Sequence, residues 1–63
     1  MFSVLIQYSD GTEDLVPTKA RVEYERTPDG ALLVIEDDEY PLKRGDNVFV
    51  MNITGQTVRR WKL

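Results

Sequence analysis

The chain contains neither cysteine nor histidine. Without cysteine it can form no disulfide framework and no thiolate metal site, and without histidine it lacks the commonest ligand for transition metals. No apolar run comes near the roughly 20 residues that span a bilayer. Residues 1–8 also lack the basic start and the cleavage site of a signal peptide. We therefore expect one soluble, cytoplasmic domain over residues 1–63, with no metal, cofactor or membrane contact.

The shortness of the chain limits both its stability and its chemistry. A domain of 63 residues has a thin core, and without disulfides or metals it depends on close packing or on assembly with another chain. Catalysis by paired carboxylates needs a cleft in which one pKa is raised, and this chain is hardly large enough to enclose one. We expect no enzymatic activity and assign no catalytic residue.

Four glycines, each beside polar turn-forming residues, divide the chain into short segments rich in Val, Ile, Leu, Tyr and Phe. The turn signals are Ser9-Asp10-Gly11-Thr12, Thr27-Pro28-Asp29-Gly30, Arg44-Gly45-Asp46-Asn47 and Thr54-Gly55-Gln56. A tight reversal needs a residue at positive φ, which glycine reaches without a Cβ clash. This punctuation predicts consecutive β-hairpins, with positive φ at Gly30 and Gly55.

Most segments between the turns have the side-chain alternation of strands. It predicts strands at residues 2–9, 12–16, 40–42 and 56–63, with Pro17 and Pro41 at sheet edges because proline cannot donate to a ladder. Residues 17–26 admit two interpretations. Charged side chains at every second position favour a strand, whereas Pro17 at a first helical position and i,i+4 pairs such as Lys19/Glu23 would fit a short helix.

Two further segments, Ala31–Ile35 and Val48–Met51, are apolar at consecutive positions. Strands of this kind are covered on both faces. Since the chain offers at most one short helix as cover, the sheet must curl over itself or bury a face against a second subunit. We place Leu33, Val34, Ile35, Val48 and Val50 in the core and expect a weak homodimer.

The stretch Leu42-x-x-Gly45-Asp46-x-Val48-x-Val50, followed by the Thr54-Gly55 turn and a further strand, resembles a pattern in SH3-like and related small β-barrels. There a Gly-Asp turn opens a strand whose alternate valines face the core. The resemblance covers about a third of the chain and implies architecture, not a ligand. We predict an all-β fold: a small antiparallel meander of five to seven strands, curled into an SH3-like barrel or half-barrel. Asp46 should cap its turn by accepting nearby N–H groups.

Charge is divided unevenly along the chain. Residues 1–42 carry three basic and ten acidic side chains, a net charge of −7, whereas residues 43–63 carry five basic side chains and Asp46, a net charge of +4. Acidic and basic strands of one sheet commonly pair, and we expect such pairing here. The run Glu36–Glu39 is interpreted as a solvated turn, because consecutive carboxylates splay apart whereas cation-binding loops stagger their ligands.

The C-terminal strand carries the most suggestive cluster, Arg59-Arg60-Trp61-Lys62. Alternation places Arg59, Trp61 and Leu63 on one face and Val58, Arg60 and Lys62 on the other. We predict a small non-catalytic interaction or assembly module that binds a protein partner through this strand. The partner-binding residues are Arg59, Trp61, Leu63, Arg44 and Arg60, with Tyr40 or Phe49 alongside.

The alternative is a nucleic-acid-binding small β-barrel. Guanidinium groups pair with phosphates and an indole stacks on bases, so Arg44, Arg59, Arg60, Trp61 and Lys62 could bind such a ligand. The overall negative charge opposes this interpretation. A contiguous positive face with an exposed aromatic would favour nucleic acid, whereas an apolar patch rimmed by charge would favour protein.

Overall fold

The computed structural model describes residues 1–63, which form seven β-strands and no helix. The strands are β1 (Phe2–Gln7), β2 (Glu13–Thr18), β3 (Val22–Thr27), β4 (Gly30–Ile35), β5 (Asp38–Lys43), β6 (Asn47–Met51) and β7 (Thr57–Lys62). No helix that could cross a membrane is therefore present. The helical alternative for residues 17–26 is wrong, because this stretch contains the end of β2, a short connection and most of β3.

The strands form two antiparallel sheets. One has the order β2-β1-β6-β7 and the other the order β3-β4-β5. The predicted small antiparallel all-β fold is confirmed at seven strands. Closure into a barrel is not shown, because no backbone ladder links the two sheets, and simple meander order is interrupted where β1 pairs with β6. Pro17 and Pro41 lie on the edge strands β2 and β5, as predicted.

The two sheets pack face to face over one apolar core. The four-stranded sheet contributes Val4, Ile6, Val48 and Val50 from β1 and β6. The three-stranded sheet contributes Val22, Ala31, Leu33, Ile35 and Leu42. Four of the five predicted core residues are buried. Val34 is the exception: it alternates with Leu33 and Ile35 and lies half-buried on the outer face.

Asp46 ties three parts of the chain together at one end of the sandwich. Its buried carboxylate accepts hydrogen bonds from the backbone N–H of Ser9 at 2.8 Å and of Lys43 at 2.8 Å. Its backbone carbonyl accepts from the N–H of Leu63 at 3.0 Å. The predicted capping role is confirmed, and it extends to the first turn and to the end of β7.

We expect Gly30→Ala to destabilise the protein far more than Gly55→Ala. Both glycines have positive φ, as predicted, at 157° and 86°. A Cβ at Gly30 would collide with the backbone carbonyl oxygen of Leu42, whereas a Cβ at Gly55 would meet no atom within 4 Å. Gly55→Ala should cost about 1 kcal/mol for its backbone conformation, and Gly30→Ala roughly 2 to 3 kcal/mol because of overpacking. Urea denaturation measures both, and equal midpoints would contradict the close packing at Gly30.

Candidate interaction groove

Strand β7 is an edge strand whose two faces have different surroundings. Arg59 and Trp61 are in register with the core residues Val50 and Val48, so they point toward the facing sheet. Arg60 is in register with Phe49 on the outer face, where its guanidinium carbon lies 5.3 Å from the Phe49 ring centroid. The predicted division of Arg59 and Trp61 from Arg60 is therefore observed. Val58, predicted on the face of Arg60, instead lies beside Arg59, because an irregularity opposite Val50 and Met51 breaks the alternation there.

Trp61 meets an aromatic residue from the other sheet. Its ring stacks on Tyr24 of β3, with centroids 4.7 Å apart and planes 3° from parallel. The guanidinium carbon of Arg59 lies 4.6 Å from the Trp61 centroid. Stacked aromatic and cation–π contacts each stabilise by about 0.5 to 1.5 kcal/mol. The Tyr24–Trp61 stack joins the two sheets at an edge where no backbone ladder does so.

Strands β3 and β7 border an open groove and run in the same direction along it. At one end, which we call the upper end, Val22 lies across from Val58. In the middle Tyr24 stacks on Trp61. At the other end, the lower end, Arg26 and Leu63 line one depression. Residue numbers therefore increase from the upper to the lower end along both β3 and β7, which is why the two strands run in the same direction. We call this feature the β3–β7 groove; it is lined by residues 20–30 and by Val58, Arg59, Trp61, Lys62, Leu63, Phe2, Val50 and Arg44.

The upper end of the β3–β7 groove is an apolar depression. It has a volume of about 450 Å³ and is lined by Phe2, Ala20, Val22, Val50 and Val58, with Arg21 and Arg59 beside them. Phe2 and Val58 are exposed there. This apolar depression, bordered by two guanidinium groups, can accept an apolar side chain of a ligand and pair with carboxylates next to that side chain.

The lower end of the groove is more polar. Arg44, from the β5–β6 turn, and Lys62 lie around a depression with Tyr24, Arg26 and Leu63. Leu63 is held by two backbone hydrogen bonds, one donated to Asp46 and one accepted from Gly45. The turn that Asp46 caps therefore also fixes the end of β7 beside the groove.

Positive charge is concentrated in the groove. Five of the eight basic residues of the protein border it, but only three of the eleven acidic ones do. One of the five, Lys62, belongs by its register with Asn47 to the outer face and reaches the groove only at its lower end. The basic residues are Arg21, Arg26, Arg44, Arg59 and Lys62, and the acidic ones are Glu23, Glu25 and Asp29. No Lys or Arg side chain takes part in the side-chain hydrogen bonds of the structure. Pairing of acidic with basic strands, as expected from the sequence, is not seen among these bonds.

Of the five residues singled out in the sequence, the structure brings four to the β3–β7 groove: Arg44, Arg59, Trp61 and Leu63. Arg60 lies on the outer face of the four-stranded sheet. Of the two aromatics considered alongside, Phe49 is under Arg60 and Tyr40 packs on β5 against the core. Sequence reasoning did not identify the contribution of β3, although its alternation already placed Val22 and Tyr24 on one face.

The largest pKa shift lies away from the groove, near the β1–β2 turn. Burial raises the pKa of Tyr8 to about 12, and the hydrogen bond that its hydroxyl donates to the Asp14 carboxylate at 2.8 Å acts in the same direction. The phenol therefore stays neutral at physiological pH and keeps the end of β1 tied to β2.

A scan against protein-family models found none that matches this chain, and searches of curated proteins and of solved structures found no significant match.

Proposed function

We propose that this protein is a small non-catalytic interaction module that binds an extended segment of a protein partner along the β3–β7 groove. The observation that carries this proposal is an apolar depression, flanked by Arg21 and Arg59, between two strand edges that pair with no other strand. Unpaired strand edges attract additional strands, and side-chain hollows beside them select the sequence of the added strand.

The free edge of β7 offers backbone hydrogen bonds to such a segment. The N–H of Leu63 points toward β6, because it donates to the carbonyl of Asp46. N–H groups alternate in direction along a strand, so those of Arg59 and Trp61 also point toward β6 and those of Arg60 and Lys62 point outward. Because β3 and β7 run in the same direction, a guest strand that is antiparallel to β7 is antiparallel to β3 as well.

The lining of the groove defines the chemistry of the partner. The apolar depression fits one aliphatic or aromatic side chain, and the surplus of guanidinium and ammonium groups favours acidic side chains on either side of it. The partner segment is therefore expected to be extended and acidic, with one apolar anchor residue. Separately from the groove, we propose that the chain associates weakly with itself, because a domain of this size has little core of its own.

Nucleic acid is the less favoured ligand of this groove. Base stacking needs an open aromatic face, but Trp61 stacks on Tyr24 and lies against Arg59, while Phe49 lies under Arg60. An apolar hollow with charge at its rim is typical of protein recognition. The surplus of cations in the groove is the observation that keeps a nucleic-acid ligand as the alternative.

A displayed library of random short peptides, selected on the immobilised protein, tests the proposal. We expect enrichment of acidic peptides with one apolar residue, and a change in Trp61 fluorescence when a selected peptide is titrated in. Arg59→Glu should weaken binding by about tenfold or more, whereas Arg60→Glu, the same change on the opposite face of β7, should alter it by less than about twofold.

Two results would count against a peptide site in the groove. One is selection without enrichment, and the other is enriched peptides that lose affinity equally with Arg59→Glu and Arg60→Glu. Titration with a fluorescent single-stranded oligonucleotide separates the alternative. Salt-sensitive oligonucleotide binding that Arg59→Glu abolishes, in the absence of peptide enrichment, would assign the groove to nucleic acid.

A further inference from the structure

A second surface, on the side of the four-stranded sheet that faces away from the core, has the features of an interface. One row of residues crosses all four strands in register, from Leu15 through Leu5 and Phe49 to Arg60. Leu15 is 63% exposed, and Leu5 and Phe49 are half-buried. Met51 and the highly exposed Ile53 extend the apolar area toward the β6–β7 turn, around a depression that Leu15 also lines.

The charges beside this apolar row have opposite signs at the two edges. The neighbouring row runs from Glu13 on β2 through Gln7 and Asn47 to Lys62 on β7. Gln7 Nε2 donates to the Glu13 carboxylate at 2.8 Å and so holds that carboxylate at the β2 edge. The face is therefore negative at β2, apolar in the middle and positive at β7, where Arg60 and Lys62 lie.

We propose that this face is the interface of a symmetric homodimer, with a second copy of the chain as its occupant. A twofold axis in the plane of the interface and parallel to the strands places β2 of one copy over β7 of the other. Glu13 of each copy then faces Lys62 of the partner subunit, and Leu5 faces the partner's Phe49. A pattern of charge that is complementary to itself in this way favours a second copy over an unrelated partner.

The outer face of the three-stranded sheet lacks this property. Val34 is flanked in register by Glu23 on β3 and Glu39 on β5. A second copy placed on that face would bring carboxylates against carboxylates, which is destabilising. The two outer faces thus differ in charge pattern, although both carry half-buried apolar side chains.

The size of the face predicts a weak dimer. Four strands about 4.8 Å apart and about 17 to 20 Å long bury on the order of 800 Å² in total when two copies stack. Stable interfaces usually bury about 1,200 Å² or more. We expect a dissociation constant of about 0.1 to 1 mM.

Sedimentation equilibrium from micromolar to millimolar protein tests the dimer without any added ligand. The average mass of the wild type should rise toward twice the monomer mass, and Leu15→Lys should stay monomeric throughout. Val58→Lys is the matched control, because Val58 is also an exposed apolar residue, at 47%, but lies in the β3–β7 groove. A wild type that is monomeric at every concentration, or a dimer that Leu15→Lys leaves intact, would overturn the proposal.

Charge exchange tests the arrangement of the two copies. Glu13→Lys and Lys62→Glu should each abolish measurable association, because each places like charges against one another twice per dimer. The double variant Glu13→Lys/Lys62→Glu should restore it. Glu25→Lys, the same charge change on the other sheet, should not lower association. A double variant as monomeric as the single ones would exclude this orientation, and peptide binding in the groove is measured separately at micromolar protein.

Discussion

Replacing Asp46 by alanine should lower the free energy of unfolding by about 3 kcal/mol or more. Two backbone N–H groups, those of Ser9 and Lys43, lose the carboxylate that accepts from them at 2.8 Å, and the site is buried. Hydrogen bonds to charged groups contribute about 1.5 to 3 kcal/mol each, and donors left without a partner add a desolvation cost. For a domain of 63 residues this is much of the total stability, which is roughly 3 to 9 kcal/mol.

Urea denaturation followed by circular dichroism measures this loss, and two further variants serve as controls. Asp46→Asn keeps one acceptor oxygen and should fall between the wild type and Asp46→Ala. Asp37→Ala removes an exposed carboxylate from the acidic turn and should change stability by less than about 0.5 kcal/mol. If Asp46→Ala and Asp37→Ala unfolded at the same urea concentration, the three-way connection at Asp46 would be wrong.

Truncating Ile35 to alanine should destabilise the protein by about 3 kcal/mol. Ile35 is 2% exposed in the core between the sheets, and deleting its methyl groups leaves a cavity that the thin sandwich closes only in part. The matched comparison is Val48→Ala with Val34→Ala, because the chemical change is the same while the burial differs. Val48 is fully buried and should lose about 2 kcal/mol, whereas half-buried Val34 should lose less than about 1 kcal/mol.

These losses in unfolding free energy are measured from the shift of the urea midpoint, provided that the dependence of the free energy on urea concentration is the same for each variant. Equal losses for Val48→Ala and Val34→Ala would contradict the placement of Val34 on the outer face. The comparison also tests the register of β4, because a shift by one residue would exchange the buried and the outer sets.

The strands could be predicted from the sequence because their signals are local. Glycine and its polar neighbours mark the turns at Gly30 and Gly55, and alternation identifies most strands between them. The assignment of Val34 to the core failed for a physical reason: consecutive apolar residues do not show which face of a strand is the inner one. The packing of the β3-β4-β5 sheet against the other sheet decides that face.

The β3–β7 groove could be predicted only in part. Alternation correctly separated Arg59 and Trp61 from Arg60, since that property belongs to a single strand. The contact of Trp61 with Tyr24 depends on how two sheets without a common ladder pack, and no local pattern records it. The pairing of β1 with β6 is likewise a long-range feature, and it is this pairing that creates the row from Leu15 to Arg60 on the outer face.

Amide hydrogen exchange, read by NMR with and without a selected acidic peptide at saturation, tests strand addition at the β3–β7 groove most directly. The outward N–H groups of Arg60 and Lys62 exchange freely in the protein alone if β7 is an open edge. With peptide bound, both should become protected, while the N–H of Trp61, already directed at β6, should change little. If the N–H groups of Arg60 and Lys62 exchanged as fast with the peptide bound as without it, the proposed mode of binding would be contradicted.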